Sequence, residues 1–238
     1  MATSGSTNFS VTRDDIIKRS LRLLGVLAQG ETPTTDQVTE AAFALNSLVK
    51  AWEADGMPIW ALKTTTVPLV AGQSVYSIGL TKNVNTPKPL KVIQAWNHST
   101  TSSVDIPMRV ITKQEYNILG NKTSSGNPIQ CYYEPLIDYG NLYVFPVPAT
   151  TDATNNTISI VYQRPFEDFD TSTDTPDFPQ EWYDAVAYGL ACRLAPEYGV
   201  PSDSRKMLWQ EMTIIKQDAL NYGLEEGSMF LMRDNRSW

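Results

Sequence analysis

The chain has 238 residues, 42% of them hydrophobic: enough for one large domain or two small ones, and too apolar for a disordered chain. Its net charge is −7, and its acidic C-terminal third argues against a protein that grips nucleic acid by neutralising phosphates, though not against one that surrounds DNA without gripping it. No apolar run approaches the length that crosses a bilayer, and "MATSGSTNFS" lacks the basic and apolar regions of a secretory signal, so the expectation is a protein made and used, or assembled, inside a cell.

The charge is unevenly placed. Residues 1–60 carry five bases and seven acids, residues 61–165 eight bases and five acids, and residues 166–238 six bases and fourteen acids. The last third is therefore strongly acidic.

In chain order, "TRDDIIKRSLRLLG" predicts a first helix. Thr12 is its N-cap, Asp14 and Asp15 sit in the first turn where the helix dipole favours acids, and Ile17, Leu21 and Leu24 share a face. Gly25 stands just past its end. "TTDQVTEAAFALNSLVKAWEADG" predicts a second helix, capped by Thr35, with a stripe of Val38, Ala42, Leu45, Val49 and Trp52, ended by Gly56 with Pro58 beyond. The two read as a helical hairpin.

After Trp60 the texture turns to Thr, Val and Tyr. "LKTTTVPLVAGQSVYSIG" predicts a β-hairpin turning at Ala71-Gly72-Gln73, and "PLKVIQAWNHSTTSSVDIPMRV" another, turning between Asn97 and Ser103. Thr112 and Glu115 have capping-box spacing for one short helix. "IQCYYEP", "NLYVFPVP" and "TISIVYQRP" read as further strands, giving six or seven in a compact antiparallel unit, with Pro135, Pro146 and Pro148 at edges or ends.

Helices return at "PDFPQEWYDAVAYGLACRLAPEYGVP". Asp177 is the expected cap, Gln180 its capping-box partner, and Trp182, Val186, Leu190 and Leu194 the buried stripe, with Pro196 ending or kinking the helix. A last helix from about Ser202 to Tyr222 presents Leu208, Met212, Ile215 and Ala219, and Gly223 follows. The expected fold is α+β: a bundle of about four helices with an inserted antiparallel β domain. The expected boundaries are 1–60 for an N-terminal hairpin, 61–165 for the insert, 166–223 for a C-terminal hairpin and 224–238 for a tail.

Few residues invite chemistry. His98 reads as an exposed turn histidine, and no nucleophile signature surrounds it. Cys131 and Cys192 form no CxxC and are expected to be reduced and buried; with one histidine they make no usual zinc site. The run "FEDFDTSTDTPDFPQEWYD" offers seven acids but lacks the glycine of a calcium loop, so it reads as a solvated acidic connector rather than a metal site. No phosphate-cradling glycine motif occurs, and no cofactor is expected. Aromatics of the β segment (Tyr76, Trp96, Tyr116, Tyr132, Tyr133, Tyr139, Tyr143, Phe145, Tyr162) read as sheet core and rim, with stacking on sugars or bases as the sharper alternative.

The tail "LEEGSMFLMRDNRSW" places Met229, Phe230, Leu231 and Met232 in succession and carries Trp238, an apolar load unusual on a solvated segment. It either folds back on the subunit's core or is a docking arm that orders on binding. The arm is preferred, with Phe230 and Trp238 as anchors and Arg233 and Arg236 as flanking charges.

Three stretches together resemble the head-to-tail adaptors of short-tailed phages, the family of tail tubular protein A and the head-completion proteins. They are "IIKRSLRLLGV" with "ALNSLVKAWEADGMPIW", then "LYVFPVPA" with "TISIVYQRPFEDFD", then "FPQEWYDAVAYGLACRLAPEYG", the most specific. The resemblance implies a non-enzymatic virion protein at the head–tail junction, assembled in the host cytoplasm. It implies a ring of about twelve copies between portal protein and tail nozzle, through which DNA passes without sequence-specific binding, and no membrane partner. The acidic connector (Glu167, Asp168, Asp170, Asp174) would then repel DNA from a lumen, and the tail would reach the portal. Rival readings are a cell-wall hydrolase using two acids and a carbohydrate-binding module on the β insert.

Overall fold

The computed structural model describes residues 5–55 and 61–222. Expectations placed on Gly56, Pro58, Trp60, Gly223 and the segment 224–238, docking residues Met229, Phe230, Leu231, Met232, Arg233, Arg236 and Trp238 included, lie outside the described residues. The chain divides into two compact units, residues 1–52 with 167–238, and residues 53–166. The described residues form six α-helices and one eight-stranded sheet, a mixed α/β chain.

The first unit is helical. α1 (Arg13–Leu23) starts with a complete capping box: the Asp15 N–H donates to the Thr12 hydroxyl and the Thr12 N–H to the Asp15 carboxylate at 3.0 Å. Gly25, at φ 72°, takes the left-handed conformation that ends the helix. α2 (Thr35–Asp55) is capped one residue earlier than expected. Thr34 and Gln37 bond reciprocally, at 2.9 and 3.3 Å, because the box needs a Gln or Glu three residues on, where Thr35 has only Val38. α5 (Tyr183–Leu194) follows a 3₁₀ turn at Gln180–Trp182. Asp177 is not its cap: the carboxylate accepts the Glu167 N–H at 3.3 Å instead. α6 runs Ser202–Tyr222.

α5 is the hub. Besides the expected stripe of Trp182, Val186, Leu190 and Leu194, it buries Ala185, Ala187, Gly189 and Ala191, so it is covered around most of its circumference. Its small residues let neighbours close in. The buried Ser20 hydroxyl of α1 lies 2.8 Å from the Ala187 carbonyl, and a Cβ at Gly189 would stand 2.8 Å from the Trp52 ring of α2. α6 also packs along α5, covering Ala219 fully and Leu208, Met212 and Ile215 in part.

The second unit is the sheet, ordered β1-β8-β4-β5-β6-β7-β2-β3. Its strands are β1 (Leu62–Pro68), β2 (Val75–Gly79), β3 (Val84–Asn85), β4 (Lys91–Ser99), β5 (Val104–Val110), β6 (Gln130–Pro135), β7 (Gly140–Phe145) and β8 (Asn156–Gln163). The first and last strands in that order, β1 and β3, also approach each other, so the sheet nearly closes around one core. Tyr76, Ile78, Leu142, Ile158, Ile160 and Tyr162 fill it. Two short helices decorate the sheet: α3 (Lys113–Asn117), with the expected Thr112–Glu115 box, and α4 (Thr150–Asn155), which the sequence did not suggest.

Three expectations about this unit change. Among the described residues there are eight strands rather than six or seven, and two pairings, β2–β3 and β5–β6, are parallel. β1 and β2 do not form a hairpin: β1 pairs with β8 and β2 with β7. The turn at Gly72 is real, with φ 76°, but its N–H donates to the Pro148 carbonyl at 3.0 Å, which ties it to the segment leaving β7. The second hairpin, β4–β5, forms with a shorter turn, so His98 lies on β4 rather than in the loop.

Candidate functional site

The acidic connector is a fitted strap on the helical unit. Phe169 and Phe178 are buried, and the Asn46 side chain clasps the Phe169 backbone, accepting its N–H at 2.9 Å and donating to its carbonyl at 3.1 Å. Asp168 pairs with Lys50 at 2.9 Å, both largely exposed. The Asp174 carboxylate accepts the N–H groups of Asp170 and Thr171 at 2.7 and 2.6 Å, while its carbonyl receives the Arg13 N–H at 2.8 Å. Hydrogen bonds from the Thr171 hydroxyl, then from its N–H, hold the Asp174 carboxyl below the ordinary range. Of the four acids singled out by sequence, Glu167 and Asp170 remain as exposed side chains, Asp168 is exposed but paired, and Asp174 serves as a turn cap.

The residues that invited a catalytic reading are separately employed. His98 Nδ1 lies 2.7 Å from Asp105 Oδ1, its cross-strand neighbour on β5, at an exposed position. Cys131 is buried in the sheet core, which pushes its thiol up to about 12. Cys192 departs from expectation. It is only half-buried, because it lines an open hollow between α5 and α6 rather than the core, and burial still raises its thiol. Among the described residues no group of three or more His, Cys, Asp or Glu side chains is placed to hold a metal ion, and no helix is long and apolar enough to cross a membrane.

The tyrosines divide by face. Tyr76, Tyr133 and Tyr162 point into the core. Tyr132 of the sheet stacks on Tyr116 of α3 and on Tyr143, and Tyr116 meets Tyr143 at a tilt, with centroids 5.2–5.8 Å apart. Lys113 bridges to Glu134, whose carboxylate also receives the Tyr143 hydroxyl at 3.0 Å. These rings use their faces to anchor α3, which leaves less aromatic surface for a sugar.

What the sequence reading passed over is apolar surface on the helices. On α2, Phe43 is 80% exposed, opposite the buried row of Ala41, Leu45, Leu48 and Val49. On α6, Met207, Trp209 and Ile214 are 67%, 60% and 58% exposed. Trp209 borders the hollow of about 530 Å³ that Cys192, Ser202, Arg205, Lys206 and Gln210 also line. The signal was present in the sequence: these residues fall off the stripes that make the core, and a large apolar residue off the stripe of an amphipathic helix has no partner within its own subunit.

Helices that hold aromatic side chains out to solvent present the kind of surface that marks an interaction site. The SU10 adaptor protein family matches residues 11–229, nearly the whole length, and the chain belongs to that family of phage adaptors. Membership makes it a bacteriophage structural component; it supports the adaptor resemblance without singling out the tail tubular protein A or head-completion branch. Comparison with curated proteins gives no match.

Proposed function

We propose that the protein is a head-to-tail adaptor whose copies, about twelve, form a ring between the portal protein and the tail nozzle and so build part of the DNA conduit. The observation that carries this reading is membership of the SU10 adaptor family over residues 11–229. The unpartnered aromatics of α2 and α6 support it, because such surface is stable on a virion component only when neighbours cover it. The net charge of −7 supports it too, since a conduit that releases DNA quickly must not bind phosphates. In this reading Glu167, Asp168 and Asp170 face the lumen, with Asp174 holding their turn, and the protein acts without catalysis.

The segment 224–238 is the portal anchor, with Phe230 and Trp238 seated in the portal, Met229, Leu231 and Met232 beside them, and Arg233 and Arg236 at the rim. Free protein is then mostly monomeric and closes into a ring on the portal as template. The test is co-sedimentation with portal-bearing heads. Full-length protein should bind, and protein lacking residues 224–238 should stay folded, with an unchanged melting curve, and fail to bind. Binding by the truncated protein would reject the tail as anchor.

A further inference from the structure

Phe43 and the Trp209 hollow are both apolar and are flanked by side chains of opposite charge. Phe43 projects from the middle of α2 with Asp36 and Glu40 seven and three residues before it on the same exposed row, while Lys50, seven residues after it, is paired with Asp168. The hollow between α5 and α6 is lined by Trp209 and Cys192, by the bases Arg205 and Lys206, and by Ser202 and Gln210. Lys206 reaches Asp203 at 3.5 Å, but both are almost fully exposed, so that pair is weak and easily exchanged. One feature is an apolar knob with acids beside it, the other an apolar hollow with bases beside it, and both belong to the helical unit.

Two different patches that fit each other on one kind of subunit make a heterologous contact, which repeats head to tail and closes into a ring when the rotation allows. A two-fold contact would instead engage both patches of each copy with one partner, which closes a dimer and leaves no surface to extend a ring. We propose that Phe43 of one copy seats against Trp209 and Cys192 of the next, with Asp36 and Glu40 meeting Arg205 and Lys206. This inference rests on the ring reading and names the surfaces that join its members. An aromatic side chain fully desolvated at the centre of a contact, with ion pairs at its edge, is the usual form of an interface hot spot.

Native Cys192 makes the contact testable by cross-linking. Full-length Phe43→Cys protein is bound to portal-bearing heads and treated with a short bismaleimide. Cys131 is buried with its thiol at about 12 and stays silent. A ladder of covalent multimers is expected, absent from wild type and from Phe43→Cys/Cys192→Ala. Copies per head are counted in parallel. Several copies per head with no ladder, or with only an intrachain product, overturns the contact and leaves the ring standing. One copy or none per head for wild-type protein overturns the ring and the contact together.

Because Phe43→Cys removes the knob itself, a charge exchange provides a second route. Glu40→Arg and Arg205→Glu should each lower head-bound copies at least tenfold, and together restore them to within about twofold of wild type. Single variants that assemble normally, or a double variant no better than the singles, contradict the pairing.

Discussion

The two units differ in which large apolar residues they leave in solvent. The sheet unit encloses Tyr76, Leu142, Ile160 and Tyr162 in one core and, among its described residues, leaves only aliphatic side chains, such as Leu80, Ile118 and Ile137, as exposed large hydrophobics. The helical unit buries one helix, α5, almost completely and leaves aromatic and aliphatic side chains on α2 and α6 in solvent. The sheet nearly closes around its own core, so most of its stability is internal. The helices keep surface unspent, which is useful in an adaptor and a liability in a free monomer.

If that contrast is right, the sheet unit should be the less forgiving of added volume. A Cβ at Gly140 would fall 2.0 Å from the Tyr133 hydroxyl, which donates to the Pro89 carbonyl at 2.6 Å in a buried position. Gly140→Ala must displace that ring, and thermal denaturation should show a loss of about 3 kcal/mol. An effect under about 1 kcal/mol would mean the core has slack. Gly189→Ala is the matching change in the helical unit. Alanine favours the helix by about 1 kcal/mol, but its Cβ would press on the Trp52 ring, which sits between Trp182 at 6.0 Å and the Lys216 ammonium at 4.8 Å. A smaller net loss, about 1–2 kcal/mol, is expected; a gain would show that α2 moves freely on α5.

Tyr162→Phe probes polar satisfaction inside the sheet. The hydroxyl lies 2.6 Å from that of Thr86, and both residues are buried. Its removal leaves Thr86 without this partner and should cost about 1 kcal/mol in denaturant unfolding. An unchanged midpoint would mean that water replaces the bond.

The smallest expected effect is shared by both units. Asp15 and Glu115 each close a capping box, one in α1 and one in α3. The Asp15 carboxyl is lowered first by the Thr12 hydroxyl, the Glu115 carboxyl first by the Thr112 N–H. A carboxyl lowered in the folded state stabilises fully above its unfolded pKa, about 4, and that contribution is lost as pH falls through the lower folded value. Stability from these boxes should therefore hold from pH 7 to 5 and decline only below about pH 4. Asp15→Asn and Glu115→Gln should flatten that acid limb, and a limb unaltered by both would remove the boxes as its source.

Local features were the legible ones. Thr12 with Asp15 and Thr112 with Glu115 announce their helices because a cap and its partner are three residues apart. The stripe from Trp182 to Leu194 marks the most buried helix for the same reason. Pairing across the sheet is not local: β1 and β2 look like a hairpin because a glycine turn joins them, yet their partners, β8 and β7, lie far along the chain. α4 was missed because Thr, Asp and Asn favour turns over helix interiors. In the candidate site, sequence pointed to acids, and several proved to be turn and strap residues, whereas Phe43 and Trp209 were hidden among residues of the same helices that make the core.

Electron cryomicroscopy of portal-bearing heads mixed with the full-length protein tests the adaptor ring itself. The expected image is a closed ring of many copies beneath the portal, coaxial with its channel. Heads with no added density at the portal, or with copies scattered over the capsid, would contradict it.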